Sequence, residues 1–178
     1  MRIISGKYRG KKLKEFNLET TKPTLDRVKE SIFNLIQFDV QDACVLDLFA
    51  GTGALGIEAI SRGARSTDLI DCNLQAVKII HENLNGIVGN YNVFNMDYEK
   101  YLLSTRQKFD IVFLDPPYKT DLGINALNII EQRNLLNKNA IIIFETSSDN
   151  EFNLDLKNFD ITKKKYGSVV VYKLVKKD

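Results

Sequence analysis

The sequence predicts an α/β fold built on one central, mostly parallel, seven-stranded sheet, with an antiparallel C-terminal strand pair and an N-terminal β-hairpin. From residue 44 onward, continuous apolar runs alternate with helical segments, a pattern typical of a parallel sheet covered by helices on both faces. The last two apolar runs are joined by residues 163–168 alone, a link too short for a crossover helix, so these strands must pair antiparallel. A chain of 178 residues supplies one full core, so we expect a single domain over residues 1–178.

The elements are expected in the following order. Residues 2–15 predict a hairpin that turns between Gly6 and Gly10, so that residues 1–22 form a basic extension to a core of 23–178. Thr24 is a good N-cap for a helix whose apolar face contains Val28 and Ile32. Strands are predicted at 44–48, 67–71, 92–94, 110–114, 140–144, 159–162 and 169–174, with helices at 54–62 and 74–84.

Charge is distributed unevenly along the chain, although the net charge is only +2. Residues 1–29 carry a net charge of +6, residues 157–178 carry +5, and residues 30–156 carry −9. Two basic ends around an acidic middle indicate a polyanion partner such as nucleic acid. Lysines that only solubilise strands at a sheet edge would give the same pattern.

The composition excludes several classes of protein. Hydrophobic residues make up 44% and charged residues 27%, values typical of a globular protein rather than a disordered one. No apolar run approaches the ~18 residues of a membrane span, and no apolar signal core follows Met1, so we expect a cytoplasmic protein. Cys44 and Cys72 form no CxxC motif and His81 is the single histidine, which argues against a disulfide scaffold, a zinc site and histidine-based catalysis.

A glycine-rich loop predicts a nucleotide-type ligand. Residues 51–56 match the pattern G-x-G-x-x-G between the first predicted parallel strand and a helix, and Asp71 follows Gly51 by twenty residues at the end of the next strand. Such glycines let the backbone approach a nucleotide, and such an acid accepts hydrogen bonds from ribose hydroxyls. A tight turn with packing glycines is the alternative interpretation.

The acidic residues near this loop favour S-adenosylmethionine over NAD as the ligand. Asp47 stands four residues before Gly51, where a carboxylate suits an ammonium and a sulfonium but not a pyrophosphate. No phosphate-binding lysine follows the loop, which disfavours ATP. Asp97, after the third strand, could accept from an adenine amino group or could cap a helix over 98–103.

The sequence Asp115-Pro116-Pro117-Tyr118 follows the fourth strand, at the sheet edge where open α/β sheets bind ligands. Two prolines fix a rigid turn and remove two N–H donors, so the exposed groups are the Asp115 carboxylate and the Pro116 carbonyl. Two acceptors held together suit an amino group, and Tyr118 offers a flat face on which a base can stack. A plain Asp-Pro turn is the alternative.

With these motifs the chain resembles amino-group methyltransferases of the Rossmann-like class I fold. The resemblance extends over nearly the whole chain to the RsmD-type bacterial 16S rRNA guanine-N2 methyltransferases. The matching segments are 2–6, 9–10, 22–24, 26–30, 33–34, 46–63, 109–118, 135–136, 145 and 166–168. Asp-Pro-Pro-Tyr alone is shared with DNA adenine enzymes, so the N-terminal segments are the more specific part. One departure is Asp71-Cys72, where the family usually has a glutamate; the shorter acid should still reach a ribose.

The resemblance implies methylation of a guanine N2 amine in 16S rRNA by a monomeric, metal-free enzyme, on the small ribosomal subunit or an assembly intermediate. It implies S-adenosyl-L-methionine as the cofactor and Asp115, Pro116, Pro117 and Tyr118 as the catalytic residues. The implied cofactor-binding residues are Asp47, Phe49, Ala50, Gly51, Thr52, Gly53, Asp71, Cys72, Asn73, Met96, Asp97 and Tyr98. The implied RNA-binding residues are Lys7, Arg9, Lys11, Lys12, Lys22, Thr24 and Arg27.

Three other functions are compatible with parts of the sequence. An NAD-dependent oxidoreductase would share the glycine loop, but it leaves Asp115-Pro116-Pro117-Tyr118 and the basic ends unexplained. A DNA adenine-N6 methyltransferase would normally need an added recognition segment, and a non-catalytic RNA-binding module would not need an intact Asp115. Arg27 could form an ordinary helix salt bridge instead of contacting phosphates.

Overall fold

The computed structural model describes residues 1–16, 23–150 and 156–178, with residues 23–25 as backbone only. The strands are β1 (Cys44–Asp47), β2 (Ser66–Asp71), β3 (Tyr91–Asn95), β4 (Phe109–Leu114), β5 (Leu136–Ser147), β6 (Phe159–Tyr166) and β7 (Val169–Lys176). The helices are α1 (Pro23–Leu35), α2 (Ala54–Ser61), α3 (Leu74–Leu84), α4 (Tyr98–Ser104) and α5 (Leu122–Gln132). The strands form one sheet in the order β3-β2-β1-β4-β5-β7-β6. Strands β1 to β5 run parallel, and β7 runs antiparallel to both β5 and β6.

Apolar side chains cover both faces of the sheet, which explains the continuous apolar runs of the strands. Successive strand residues point to opposite faces, and in β4 Val112 joins the core cluster that includes α4 and α5 residues. Its neighbours Ile111 and Phe113 join the cluster that includes α1 residues. Among the described residues, no helix is both long enough and apolar enough to cross a bilayer.

The predicted fold class is confirmed, including the antiparallel C-terminal pair, but several element boundaries differ. Strand β5 begins at Leu136, four residues before its predicted start, because Leu136 already pairs with Phe109 of β4, while the polar residues 137–139 lie where the register of that ladder shifts. Helix α5 has no predicted counterpart. Helix α1 begins at Pro23, which is favoured at the first helical position, so Thr24 lies inside the first turn and the N-cap prediction is wrong.

The N-terminal segment reverses direction as predicted but does not form a two-stranded ladder. One isolated antiparallel bridge joins Arg2 and Lys12, and the Gly10 amide donates to the Ile3 carbonyl at 2.8 Å. Gly6 has φ +86° and lies so close to α2 that a Cβ there would be 1.9 Å from the Ser61 carbonyl oxygen. The amides of Ile3 and Leu13 also donate to the carbonyls of Lys11 and Met1. The segment is therefore a short hairpin pressed against α2, and it is called the N-terminal loop below.

A buried carboxylate fixes this N-terminal loop to the core. Glu58, in α2, is fully buried and accepts from the backbone amides of Ile4 at 2.8 Å and Ser5 at 3.0 Å. Its oxygens also lie 2.8 Å from Arg62 Nε and 3.4 Å from the buried Lys29 Nζ. The charge of Glu58 is thus balanced by two cations, and one side chain joins the N-terminal loop, α1 and α2.

We expect Glu58→Ala to lower the free energy of unfolding by about 3–5 kcal/mol, because it leaves Lys29 buried without its partner. The measurement is equilibrium urea unfolding. Glu82→Ala is the matched control: it removes an ion pair with Lys14 of 2.6 Å that is more than half exposed, and should cost under about 1 kcal/mol. Equal losses in the two variants would contradict a special role for Glu58.

Candidate active site

The site lies where the carboxyl ends of β1 and β4 meet at the middle of the sheet. Asp47 pairs with Phe113 in parallel register, and the Leu48 amide donates to the Phe113 carbonyl at 3.2 Å. The loop after β1 therefore lies beside the loop after β4, at the point where the strand order reverses, which is where α/β sheets bind ligands. A cavity of about 560 Å³ opens there, within the size range of small-molecule sites.

The three glycines of the loop after β1 have different tasks. Gly51 has φ +56°, and the position of its absent Cβ has no atom within 4 Å, so its backbone borders open space in the cavity wall. Gly53 has φ +81° and faces Ile57 and other core side chains, while a Cβ on Gly56 would be 2.8 Å from Leu69 Cδ2. The ligand interpretation therefore fits Gly51, and the packing interpretation fits Gly53 and Gly56.

Two acids hold the loop in this conformation. Asp47 is buried and its Oδ2 accepts from the Gly56 amide at 2.8 Å. Burial raises the pKa of Asp47 from 3.8 to about 7, against the lowering effect of the Gly56 hydrogen bond. Asp71 is half-buried and accepts from the amides of Gly51 and Asn73, both at 2.8 Å. Both acids line the cavity, so their remaining acceptor capacity faces a ligand.

The loop after β3 closes one side of the cavity. The rings of Phe49 and Tyr98 pack with centroids 5.3 Å apart, and both line the cavity with Asp97. Asp97 Oδ1 accepts from the amides of Glu99 at 2.9 Å and Lys100 at 3.3 Å. Asp97 is thus the N-cap of α4, and it is exposed at the cavity as well, so the cap and the ligand interpretations are compatible.

The Asp-Pro-Pro-Tyr turn forms the opposite wall. Asp115 is half-buried and receives no hydrogen bond from any residue in the described part of the chain. Burial, and then the nearby carboxyls of Glu145 and Asp47, raise the pKa of Asp115 well above its ordinary value. Tyr118 is 46% exposed, and its hydroxyl donates to Glu145 Oε1 at 3.0 Å. The wall therefore combines acceptors with an accessible aromatic ring.

Fourteen of the sixteen predicted catalytic and cofactor-binding residues line this one cavity. The other two are Gly53, which faces the core, and Asn73, whose side chain caps α3 by accepting from the Gln75 amide at 2.8 Å. The predicted site residues do not include Glu145, Met1 and Phe16, which also line the cavity. Glu145 carries a recognisable signal, since it is an acid directly after the apolar run 140–144 that is predicted as a strand.

The predicted RNA-binding residues form a surface outside the cavity. Lys7, Arg9 and Lys12 are exposed on the N-terminal loop, and Arg27 is exposed on α1 without an ion pair to any described acid. Lys11 differs, because its ammonium donates to the Asn85 carbonyl. Lys22 and the side chain of Thr24 lie outside the described residues. Within those residues, no three His, Cys, Asp or Glu side chains are placed so that they could hold a metal ion.

The fold and the site together define a class I methyltransferase. The family model described as Conserved hypothetical protein 95 matches residues 1–175. Ribosomal RNA small subunit methyltransferase D is 34% identical in Escherichia coli, over 100% of this chain and 90% of that protein. The protein of the same name in Haemophilus influenzae is 35% identical, over 98% and 92%.

Solved structures agree with this assignment of the fold. The structure of yhhF from Escherichia coli superposes with a TM-score of 0.89 at 32% identity, over 99% of this chain and 98% of that one. The fold is also shared by a Thermus thermophilus 16S rRNA N2 G1207 methyltransferase, solved in complex with AdoMet and guanosine. That structure superposes with a TM-score of 0.75 at 20% identity, over 91% of this chain and 45% of that one. The chain belongs to the Conserved hypothetical protein 95 family and is a relative of ribosomal RNA small subunit methyltransferase D.

We expect Asp47→Asn to raise the melting temperature of the ligand-free protein at high pH. The folded-state pKa of Asp47, about 7, exceeds its ordinary value of 3.8, so ionisation of this buried acid destabilises the fold as pH rises. The gain from the amide should be absent below about pH 4, grow up to about pH 7 and then level off. Melting curves from pH 4 to 9 measure it, and a gain that does not change with pH would contradict the assignment.

Proposed function

We propose that this protein transfers a methyl group from S-adenosyl-L-methionine to the exocyclic N2 amine of a guanine in 16S rRNA. The observation that carries the proposal is the meeting of the glycine loop and Asp115-Pro116-Pro117-Tyr118 at one cavity. The names of the relatives support rRNA of the small subunit as the substrate. We further propose that the enzyme is a cytoplasmic monomer without a metal, acting on the small subunit or an assembly intermediate.

The cavity residues fit the cofactor. Open space at Gly51 allows close backbone approach, and Asp71, at the end of β2, has acceptor capacity for ribose hydroxyls. Asp47 offers a carboxylate to a cationic group, and Asp97 with Tyr98 borders the side suited to an adenine. When bound, S-adenosylmethionine supplies a methyl group on a sulfonium, which carries its own leaving group.

The chain has to position the amine and accept its proton. The Asp115 carboxylate and the Pro116 carbonyl are two acceptors on a rigid turn, so they would hold an exocyclic NH₂ and direct its lone pair toward the methyl group. The acidity of an aryl amine rises as the new bond forms, so Asp115 accepts the proton or relays it to water. Tyr118 would stack on the base, which must leave its helix or lie in an unpaired loop to reach the cavity.

Substrate RNA would be held by the basic ends of the chain. Lys7, Arg9 and Lys12 lie on the loop that Glu58 anchors beside α2, and α2 begins directly after the glycine loop. Phosphate contacts of this kind position RNA without reading its sequence. The exposed lysines 163–165 of β6 form a second basic surface on the edge strand.

We expect Asp115→Ala to lower single-turnover methyl transfer by about 10²–10⁴-fold, the usual effect of losing a positioned acid–base group. The cofactor-induced rise in melting temperature should persist, because Asp115 faces the amine. Gly51→Val is the contrasting variant and should lose that rise, because it fills the space that the cofactor approaches. The measurement is tritium transfer to subunits that lack the modification, with the product nucleoside identified. Near-normal turnover by Asp115→Ala, or stabilisation of the wild type by NADH instead, would contradict the proposal.

Charge reversal of Lys7, Arg9 and Lys12 to Glu should weaken RNA binding and flatten its salt dependence. Each lost phosphate contact changes the slope of log K against log salt by about 0.7 for a single strand. Binding measured between 50 and 200 mM salt would show this. Reversal of Arg106 and Lys108, which are exposed between α4 and β4, is the control. An unchanged slope would assign RNA binding to lysines 163–165 instead.

A further inference from the structure

Glu145 is a cavity acid to which the proposed methyl transfer assigns no task. It is only 7% exposed, yet it lines the cavity. Its position follows from the register of the sheet, because Phe144 pairs with Leu114 in the parallel β4–β5 ladder. The next residues along the two strands, Glu145 and Asp115, are therefore neighbours at the carboxyl edge.

The hydrogen bonding of Glu145 is incomplete. Tyr118 donates to Oε1 at 3.0 Å, and no other donor to this carboxyl occurs among the residues that the structure describes. A carboxylate has about four acceptor positions, and buried polar groups almost always find partners. Tyr118 thus fixes the orientation of a buried carboxyl whose remaining capacity borders the ligand cavity.

Two neighbouring acceptors match the hydrogen-bonding edge of guanine. Guanine presents its N1–H beside its N2 amino group, so it offers donors at adjacent positions. Adenine presents an amino group beside N1, which is an acceptor, so its lone pair would face a carboxylate. Because the Asp115–Tyr118 motif by itself is shared with enzymes that methylate adenine, discrimination between the two bases has to come from outside that motif.

We propose that Glu145 accepts a hydrogen bond from guanine N1–H and thereby selects guanine, while Asp115 holds the N2 amine. This inference rests on the proposed function. In this arrangement Tyr118 has two tasks: its ring stacks on the base, and its hydroxyl orients the residue that reads the base. Glu145 is then a specificity-determining residue, distinct from the acid that receives the proton.

The test compares two versions of the 16S rRNA, with guanine or 2-aminopurine at the position that the wild-type enzyme methylates. The RNA is made by ligation. If the enzyme does not methylate free RNA, this RNA is first reconstituted into subunits. 2-Aminopurine keeps the 2-amino group, but its N1 is an acceptor.

Wild type should prefer guanine in single-turnover methylation at saturating cofactor. Glu145→Gln replaces an acceptor with an amide that can also donate, so its rate on guanine should fall on the order of 10- to 100-fold. For this variant the rate on guanine divided by the rate on 2-aminopurine should fall toward one or below one.

The controls separate base reading from folding. Glu145→Asp keeps a carboxylate and should keep the preference for guanine at a lower rate. Glu131 is another acid that accepts a hydrogen bond from one neutral side chain, that of Asn158 at 3.0 Å, but it lies outside the cavity. Glu131→Gln should therefore leave the methylation rates on both RNAs unchanged. The rise in melting temperature that S-adenosylmethionine produces should be near wild type in all variants.

Two results would overturn the inference: a Glu145→Gln variant that slows equally on both RNAs, or a Glu145→Asp variant that methylates both at one rate. If Glu145→Gln does not fold, the preference of Glu145→Asp decides the question. Failure of the proposed function looks different, because the wild type itself would then transfer no methyl group to guanine N2.

Discussion

The parallel pairing of β1 with β4 is the constraint on which the site depends. These strands are separated in the chain by two helix–strand units and part of a third, yet Asp47 and Phe113 are cross-strand partners. Because both strands point the same way, their following loops emerge at the same edge. One of these loops carries the glycines and the other carries Asp115, so the two motifs border one cavity although no local sequence signal links them.

Electrostatics gives this edge its chemical character. Three carboxyls, Asp47, Asp115 and Glu145, line one cavity, and burial raises the pKa of each. The fold tolerates these carboxyls because neutral groups donate hydrogen bonds to two of them. The Gly56 amide donates to Asp47, and the Tyr118 hydroxyl donates to Glu145. Such a cavity suits ligands that bring positive charge or N–H donors. A cationic cofactor and an amino-bearing base supply both.

The N-terminal loop is joined to the same centre through α2. This helix starts at the glycine loop and carries Glu58, whose carboxylate is bonded by the amides of Ile4 and Ser5. Met1 and Phe16, at the two ends of the described N-terminal segment, line the cavity. The basic segment is therefore held at a fixed position relative to the pocket, which the proposed placement of one RNA base in the cavity requires.

The fold class and most of the residues that line the cavity could be predicted from the sequence, because those signals are local. Alternating apolar runs and helices, the glycine pattern and Asp115-Pro116-Pro117-Tyr118 can each be read within a few residues, and the structure confirms the sheet and brings the motifs together. Three features could be seen only in the folded chain: which glycine borders the cavity, that Glu145 lines it, and that the N-terminal segment packs on α2 with a single bridge. These depend on strand register and on contacts between residues more than fifty positions apart, such as Ile4 with Glu58. Packing of the whole core sets such contacts, and no local pattern encodes them.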